Sequence, residues 1–298
     1  MRYRRLGRTG EKVSVVGLGT WQFGGEWGRD FSQAEVDAII GTAREAGINL
    51  IDTAECYGHH LSEELIGRAI EKDRSSWFVA TKFGHIFKGF LDRDRDFSPR
   101  GLLDQLDASL AALRTDYVDL LQFHSAKDRE FDNPELWELL RKLKEQGRVR
   151  HFGLSISPNT NSYQTGRAAE SGAETVQVVY NRLQREPERE VFPLCRRDDL
   201  GVLARVPMAS GLLSGKYRPG STFTGKDVRA TRDAEVLEKQ LKEVERIRRE
   251  EVPEGIDMAS WALAWVLSNS SVTAVIPGCK SPEQVRKNAA AAEIELES

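Results

Sequence analysis

The chain has 298 residues with 43 Lys and Arg against 46 Asp and Glu, a formal charge of −3, so no net field draws it to nucleic acid or to an anionic membrane. Apolar residues at 40% and charged residues at 30% exclude a disordered chain, and three scattered cysteines exclude a disulfide scaffold and fit a reducing compartment. The start MRYRRLGRTG lacks the apolar core of a secretory signal, and MASWALAWVLSN is about half a membrane span, so a cytoplasmic protein is expected.

In chain order, RYRRLGRTGEKVSVV turns at Thr9-Gly10 and reads as a hairpin. Short apolar runs then recur: VSVVGLGT, INLIDTA, WFVATKF, VDLLQFH, VRHFGLS, TVQVVY, GVLARVP and VTAVIPG. Most are rich in β-branched residues and bounded by Gly, Pro or polar clusters, as buried strands are. Helix-period segments lie between them. SQAEVDAIIGTAREAG opens on Ser and closes on Gly, SEELIGRAIEK starts on Ser, and SPRGLLDQLDASLAALR has Pro just inside its start. Eight evenly spaced, non-alternating strands separated by helices predict one (β/α)8 barrel over residues 1–298, preceded by an N-terminal β-hairpin. A doubly wound open sheet competes with it, but the count and spacing favour the barrel.

Two insertions break the rhythm. GHIFKGFLDRDRDF follows strand 3 and is expected as a solvated loop; SGLLSGKYRPGSTFTGKDVRATRDAEV follows strand 7. Both leave the C-terminal ends of strands, the face on which barrel active sites sit. VLEKQLKEVERIRREE reads as a solvated helix.

Chemistry-bearing side chains gather at those ends. Strand 2 ends in Asp52 with Tyr57 in the following loop, strand 3 reaches Lys82, and strand 4 ends in His124. A phenol with an ordinary pKa of about 10 is a poor acid near neutrality. An ammonium beside it favours the phenolate, so Lys82, anchored by Asp52, is expected to lower the pKa of Tyr57. A neutral His124 then hydrogen-bonds a substrate oxygen, and the group delivers a proton to a carbonyl becoming an alkoxide. Such a site needs a hydride donor opposite. No metal is expected, because His59, His60, His85, His124 and His151 have no spacing that collects three ligands. Cys56 reads as a small packed residue.

The segments NLIDTAECYG, WFVATK, DLLQFH and GLS resemble the successive active-site segments of the aldo-keto reductase superfamily. VPMASGLLSGKY and VIPGCKSPEQVRKNAAAA resemble its cofactor loops, so the likeness runs in order over almost the whole chain. The resemblance implies a barrel that reduces aldehydes or ketones with an extended nicotinamide cofactor and no Rossmann domain. It makes Asp52, Tyr57, Lys82 and His124 the catalytic tetrad, Tyr57 being the acid.

By the same resemblance Thr20, Trp21 and Asp52 approach the nicotinamide end, while Ser155 and Gln177 hydrogen-bond the carboxamide. Arg205 stands where an aromatic residue is frequent, and its stacked guanidinium is expected to favour the reduced cofactor. The loop Pro207, Met208, Ala209, Ser210, Gly211, Leu212 is expected across the pyrophosphate, with Ser214 and Lys216 as further donors. Gly278, Lys280 and Ser281 open the last helix, where an N-cap and a cation suit a 2′-phosphate and no acid selects a free ribose hydroxyl. NADP(H) is therefore expected over NAD(H), with Gln284 and Asn288 facing the adenosine. Trp21, Trp27, Phe83 and His85 are expected to line the pocket of a small-molecule carbonyl substrate. The alternative is a sensory or regulatory protein of the same fold that binds cofactor and turns over little, as the superfamily's potassium-channel beta subunits suggest.

Overall fold

The computed structural model describes residues 1–225 and 227–296. Its centre is an eight-stranded parallel sheet formed, in order, by Leu18–Gly19, Leu50–Asp52, Phe78–Phe83, Val118–His124, Val149–Ser155, Thr175–Val179, Gly201–Arg205 and Ala274–Val275. Parallel bridges from Val16 to Val275 and from Gly19 to Gly278 join the first strand to the last, so the sheet closes into the expected barrel. Helices cover its outside. VSVVGLGT is divided: Lys12–Ser14 pairs antiparallel with Tyr3–Arg5 in the hairpin, and only Leu18–Gly19 enters the barrel.

Side-chain alternation builds two regions inside the ring. Leu50, Phe78, Ala80, Leu120, Leu203, Ala274 and Ile276 form one buried apolar cluster with Leu6 and Val13 of the hairpin segment. Two residues further along these strands come Asp52, Lys82, Gln122 and Arg205, with Gln177 of the strand Thr175–Val179 beside Gln122. The barrel is thus apolar at the hairpin end and ionisable at the other. Gly7 lets the hairpin approach, because a Cβ there would meet the backbone nitrogen of Gly201 at 2.1 Å.

The helices start largely where their caps predict. Ser32 caps Gln33–Glu45 in a capping box with Glu35, and Ser98 caps Pro99–Leu113 with Pro at its first turn. SEELIGRAIEK differs: its helix runs Leu61–Ile70 with His60 as the cap in a left-handed conformation, and Ser62 lies inside. Ser62 is buried there and its hydroxyl donates to the carbonyl of Thr20 at 3.1 Å. MASWALAWVLSN is the buried helix Met258–Ser268, and no helix among the described residues is long and apolar enough to cross a membrane.

The first insertion is not a solvated loop but a β-hairpin, His85–Gly89 with Asp92–Arg95. Its Arg93 contacts both carboxylate oxygens of buried Glu26, at 2.6 and 2.5 Å, which turns a charged run into a tether. The second insertion forms short turns at Ala209–Ser214 and Val228–Thr231 before the charged helix Ala234–Glu250.

Candidate active site

Lys82 is 1% exposed, on the inward face of the third barrel strand. Its ammonium donates to Asp52 Oδ1 at 2.8 Å, to the Thr53 carbonyl at 2.6 Å and to the Tyr57 hydroxyl at 3.4 Å. These are the three donors a lysine has. Asp52 Oδ2 accepts from the amides of Gln177 at 2.6 Å and Gln122 at 3.4 Å, so both of its oxygens are engaged. Tyr57 reaches this cluster from the loop after strand 2, and its ring lies edge-on to His124 with centroids 6.3 Å apart.

The electrostatics correct one expectation. Burial pushes the Tyr57 phenol up to about 12; the Lys82 ammonium pulls it down, but the Asp52 charge pushes the same way as burial. Lys82 moderates the rise without reversing it, because burial outweighs its pull and the charge that anchors it adds to burial at Tyr57. Burial disfavours the Lys82 cation, yet Asp52, through charge and hydrogen bond, holds its pKa above the ordinary value.

Glu55, absent from the expectations, is 2% exposed and faces His124. Its Oε1 lies 3.3 Å from His124 Nδ1 and accepts the backbone N–H of His85 at 2.9 Å. Burial works against its charge, but His124 and the His85 N–H hold its carboxyl down at about 2. Burial also lowers the pKa of His124 against the pull of Glu55. Cys56 Sγ lies 3.8 Å from the same Nδ1, and the His85 ring stacks on His124 at 4.3 Å. Burial raises the Cys56 thiol well above its usual value, so it is protonated.

Trp21 stacks over Tyr57 with centroids 6.1 Å apart and donates to Glu26 Oε2 at 2.7 Å; Trp27 meets Trp21 edge-on. Trp21, Trp27 and His85 thus gather around Tyr57 and His124. Phe83 does not. It follows Lys82 on a strand, so its ring points to the opposite face and packs, fully buried, on Phe97 and Phe123.

Thr20 Oγ1 donates to the Asp52 carbonyl at 2.9 Å. Ser155 stands beside Gln177 at 3.4 Å, but the Gln177 amide is directed at Asp52. Arg205 donates to the Ile156 carbonyl at 3.2 Å, and its buried Nε has no partner among the described residues. In the loop after strand 7, Ser210 and Gly211 take φ values of 59° and 87°; Arg232 donates to Ser210 Oγ at 2.7 Å, and Leu212 is fully buried. Ser281 caps Pro282–Ala290 by accepting from the Gln284 N–H, and Gln284 Oε1 accepts from the Lys280 N–H at 2.8 Å. Lys280 reaches the Trp27 carbonyl at 3.1 Å. Burial lowers its pKa, and Arg229, Arg29 and Lys216 add to the effect against Asp227, so cations gather around Lys280. Asn288 is 5% exposed and donates to Cys279 Sγ at 3.1 Å.

The Aldo/keto reductase family model matches residues 15–298. The NADH-specific methylglyoxal reductase of Escherichia coli is 33% identical over 98% of this chain and 93% of its own length. An aldo-keto reductase of Bacillus halodurans in its holo form superposes with a TM-score of 0.82 at 29% identity, covering 100% of this chain and 93% of its own. The glycerol dehydrogenase of Gluconobacter oxydans gives 0.83 at 29% identity, covering 100% and 91%. With a shared barrel and a sequence match along nearly its whole length, the chain belongs to the aldo/keto reductase family.

Proposed function

We propose that this oxidoreductase reduces an aldehyde or ketone to the alcohol, with Tyr57 as proton donor and NADPH as cofactor. The observation that carries the reading is the Lys82 ammonium, held by Asp52 and turned toward the Tyr57 hydroxyl. With its pKa near 12, Tyr57 is protonated throughout the neutral range, as the acid must be. When bound, the nicotinamide supplies the hydride. The carbonyl oxygen lies between Tyr57, which gives up its proton, and His124, which aligns the oxygen. Lys82 stabilises the phenolate left behind, and solvent restores the proton after product leaves.

A dinucleotide fits the residues present: Arg205 keeps a buried Nε with no partner among the described residues, and cations surround Lys280. That positive cluster supports a 2′-phosphate and hence NADPH. The E. coli relative is described as NADH-specific, so the decisive assay runs a panel of aldehydes, ketones and sugars with both cofactors. Turnover with higher kcat/KM for NADPH is expected, and Tyr57→Phe should lower kcat about 10²–10⁴-fold while cofactor binding, read by fluorescence, survives. Undiminished turnover in Tyr57→Phe overturns the role of Tyr57; a preference for NADH overturns the cofactor assignment alone.

A further inference from the structure

The fold assembles a set of metal-ligating side chains that sequence spacing did not reveal. One ligand atom each from Cys56, His85 and His124 lie within 4.8 Å of one another. Cys56 and Glu55 come from the loop after strand 2, His124 from the end of strand 4, and His85 from the start of the inserted hairpin. We propose that Cys56, His85 and His124, with the Glu55 carboxylate, form an inhibitory site for a soft divalent cation, Zn²⁺ in the first instance, beside the catalytic tyrosine.

The spacing fits that ion. Tetrahedral Zn²⁺ with ordinary bond lengths sets its sulfur and nitrogen ligands about 3.6 Å apart, and its oxygen and nitrogen ligands about 3.4 Å apart. Here Cys56 Sγ lies 3.8 Å, and Glu55 Oε1 3.3 Å, from His124 Nδ1. His85, half-buried at the rim, closes the set by swinging out of its stack on His124. Glu55 Oε2 is a buried carboxylate oxygen with no partner among the described residues, so the carboxylate has a free acceptor in the same corner.

Charge sets the selectivity. Lys82, Arg93 and Arg95 stand nearby, and each is paired with its own carboxylate: Asp52, Glu26 and Glu130. Arg205 has no carboxylate partner among the described residues and opposes a cation held by charge alone. A site of thiol and imidazoles beside that guanidinium therefore takes Zn²⁺ and rejects Mg²⁺ and Ca²⁺, which want oxygen ligands. Binding breaks the Cys56 S–H bond and forms a metal–sulfur bond, and the proton leaves to solvent. The neutral His124 ring then carries its one proton on Nε2, so a proton that Nδ1 shares with Glu55 shifts to Nε2 by way of solvent as the metal binds. With Nδ1 bound to metal, the imidazole is drawn off the position in which Glu55 holds it, and turnover stops.

The test titrates the reduced, metal-stripped full-length chain with ZnCl2, and with CoCl2 as a spectroscopic probe. One equivalent of Co²⁺ should give a thiolate-to-metal charge-transfer band, Zn²⁺ should displace it, and MgCl2 should not. Loss of a partner outside the coordination shell already costs about 10–100-fold in affinity, so Cys56→Ser, removing a direct ligand, should lose the band and weaken Zn²⁺ by at least as much. His85→Ala should weaken Zn²⁺ and keep the band. A wild-type chain without the band overturns the proposal, as does a band unchanged in Cys56→Ser, which would place the metal at Cys195 or Cys279. The proposal rests on the reductase reading only for the inhibitory consequence. Metal binding is read without turnover, so a failure of one is distinguishable from a failure of the other.

Discussion

Lys82 and Asp52 form an ion pair whose partners are 1% and 5% exposed. Removing one member of such a pair strands the other charge, at a cost of about 3–5 kcal/mol, whereas replacing both with neutral groups is far milder. Lys82→Met should therefore lower the melting temperature markedly, and Lys82→Met with Asp52→Asn should recover much of it. Activity should not return. Without the ammonium the Tyr57 phenol, already near 12, rises further and becomes a weaker acid, so carbonyl reduction should stay at least about 10²-fold down in both variants. In the wild type, reduction should hold level past the ordinary phenol value of about 10 and fall only as the pH nears the Tyr57 value. An activity that recovers together with stability in the double variant removes Lys82 from the mechanism. Glu55 acts at a neighbouring point: its ionised carboxylate lies 3.3 Å from Nδ1 and holds the His124 ring.

The helix Leu61–Ile70 links the site to the outer layer through its cap. His60 Nδ1 lies 2.5 Å from Glu63 Oε2, and fully buried Glu63 also accepts from Thr81, the residue before Lys82. Burial depresses the His60 pKa, but the hydrogen bond and charge of Glu63, with Glu55 behind it, raise it above the ordinary value. The sign follows from linkage: the stabilisation is complete below the unfolded pKa of about 6.5 and is lost as pH rises through the folded value. The melting-temperature gap between wild type and His60→Asn should therefore be widest in mild acid and shrink toward alkaline pH. A gap that does not vary with pH would mean His60 acts by shape alone. The inserted hairpin is tied down differently. Glu26 accepts from Trp21, from Arg93 and from the Leu91 N–H, so one carboxylate joins the hairpin to the indole stacked over Tyr57.

The barrel keeps stability and chemistry at opposite ends. Apolar residues and the N-terminal hairpin close one end, while the ionisable groups occupy the other. Leu6, fully buried, joins Val13 as the hairpin's contribution to that closure. Leu6→Ala should cost about 2–5 kcal/mol, read as a lower urea midpoint, with kcat of the folded enzyme unchanged. A loss of kcat in protein still fully folded by circular dichroism would show that the two ends are coupled.

Most of the frame was legible in the chain. Even spacing of apolar runs led to the barrel, and Ser32, Ser98 and Ser281 marked helix starts, because periodicity and capping are local and leave local patterns. Asp52, Lys82 and His124 were legible for the same reason: they sit at strand ends, and strand ends of a barrel converge. Relations across the chain were not. Whether Lys82 or burial prevails at Tyr57 depends on how deeply the phenol is enclosed and on how near Asp52 comes, and neither distance is written in the spacing of residues. Phe83 was misplaced because its neighbour Lys82 takes the inward side of a strand whose parity appears only with the register. The charged run DRDRD looks solvated until Glu26, 67 residues away from Arg93, supplies its partner. Cys56, His85 and His124 likewise lie far apart in sequence and meet only because three chain segments end at one rim. Such pairings are decided by packing, since charge and coordination act through space.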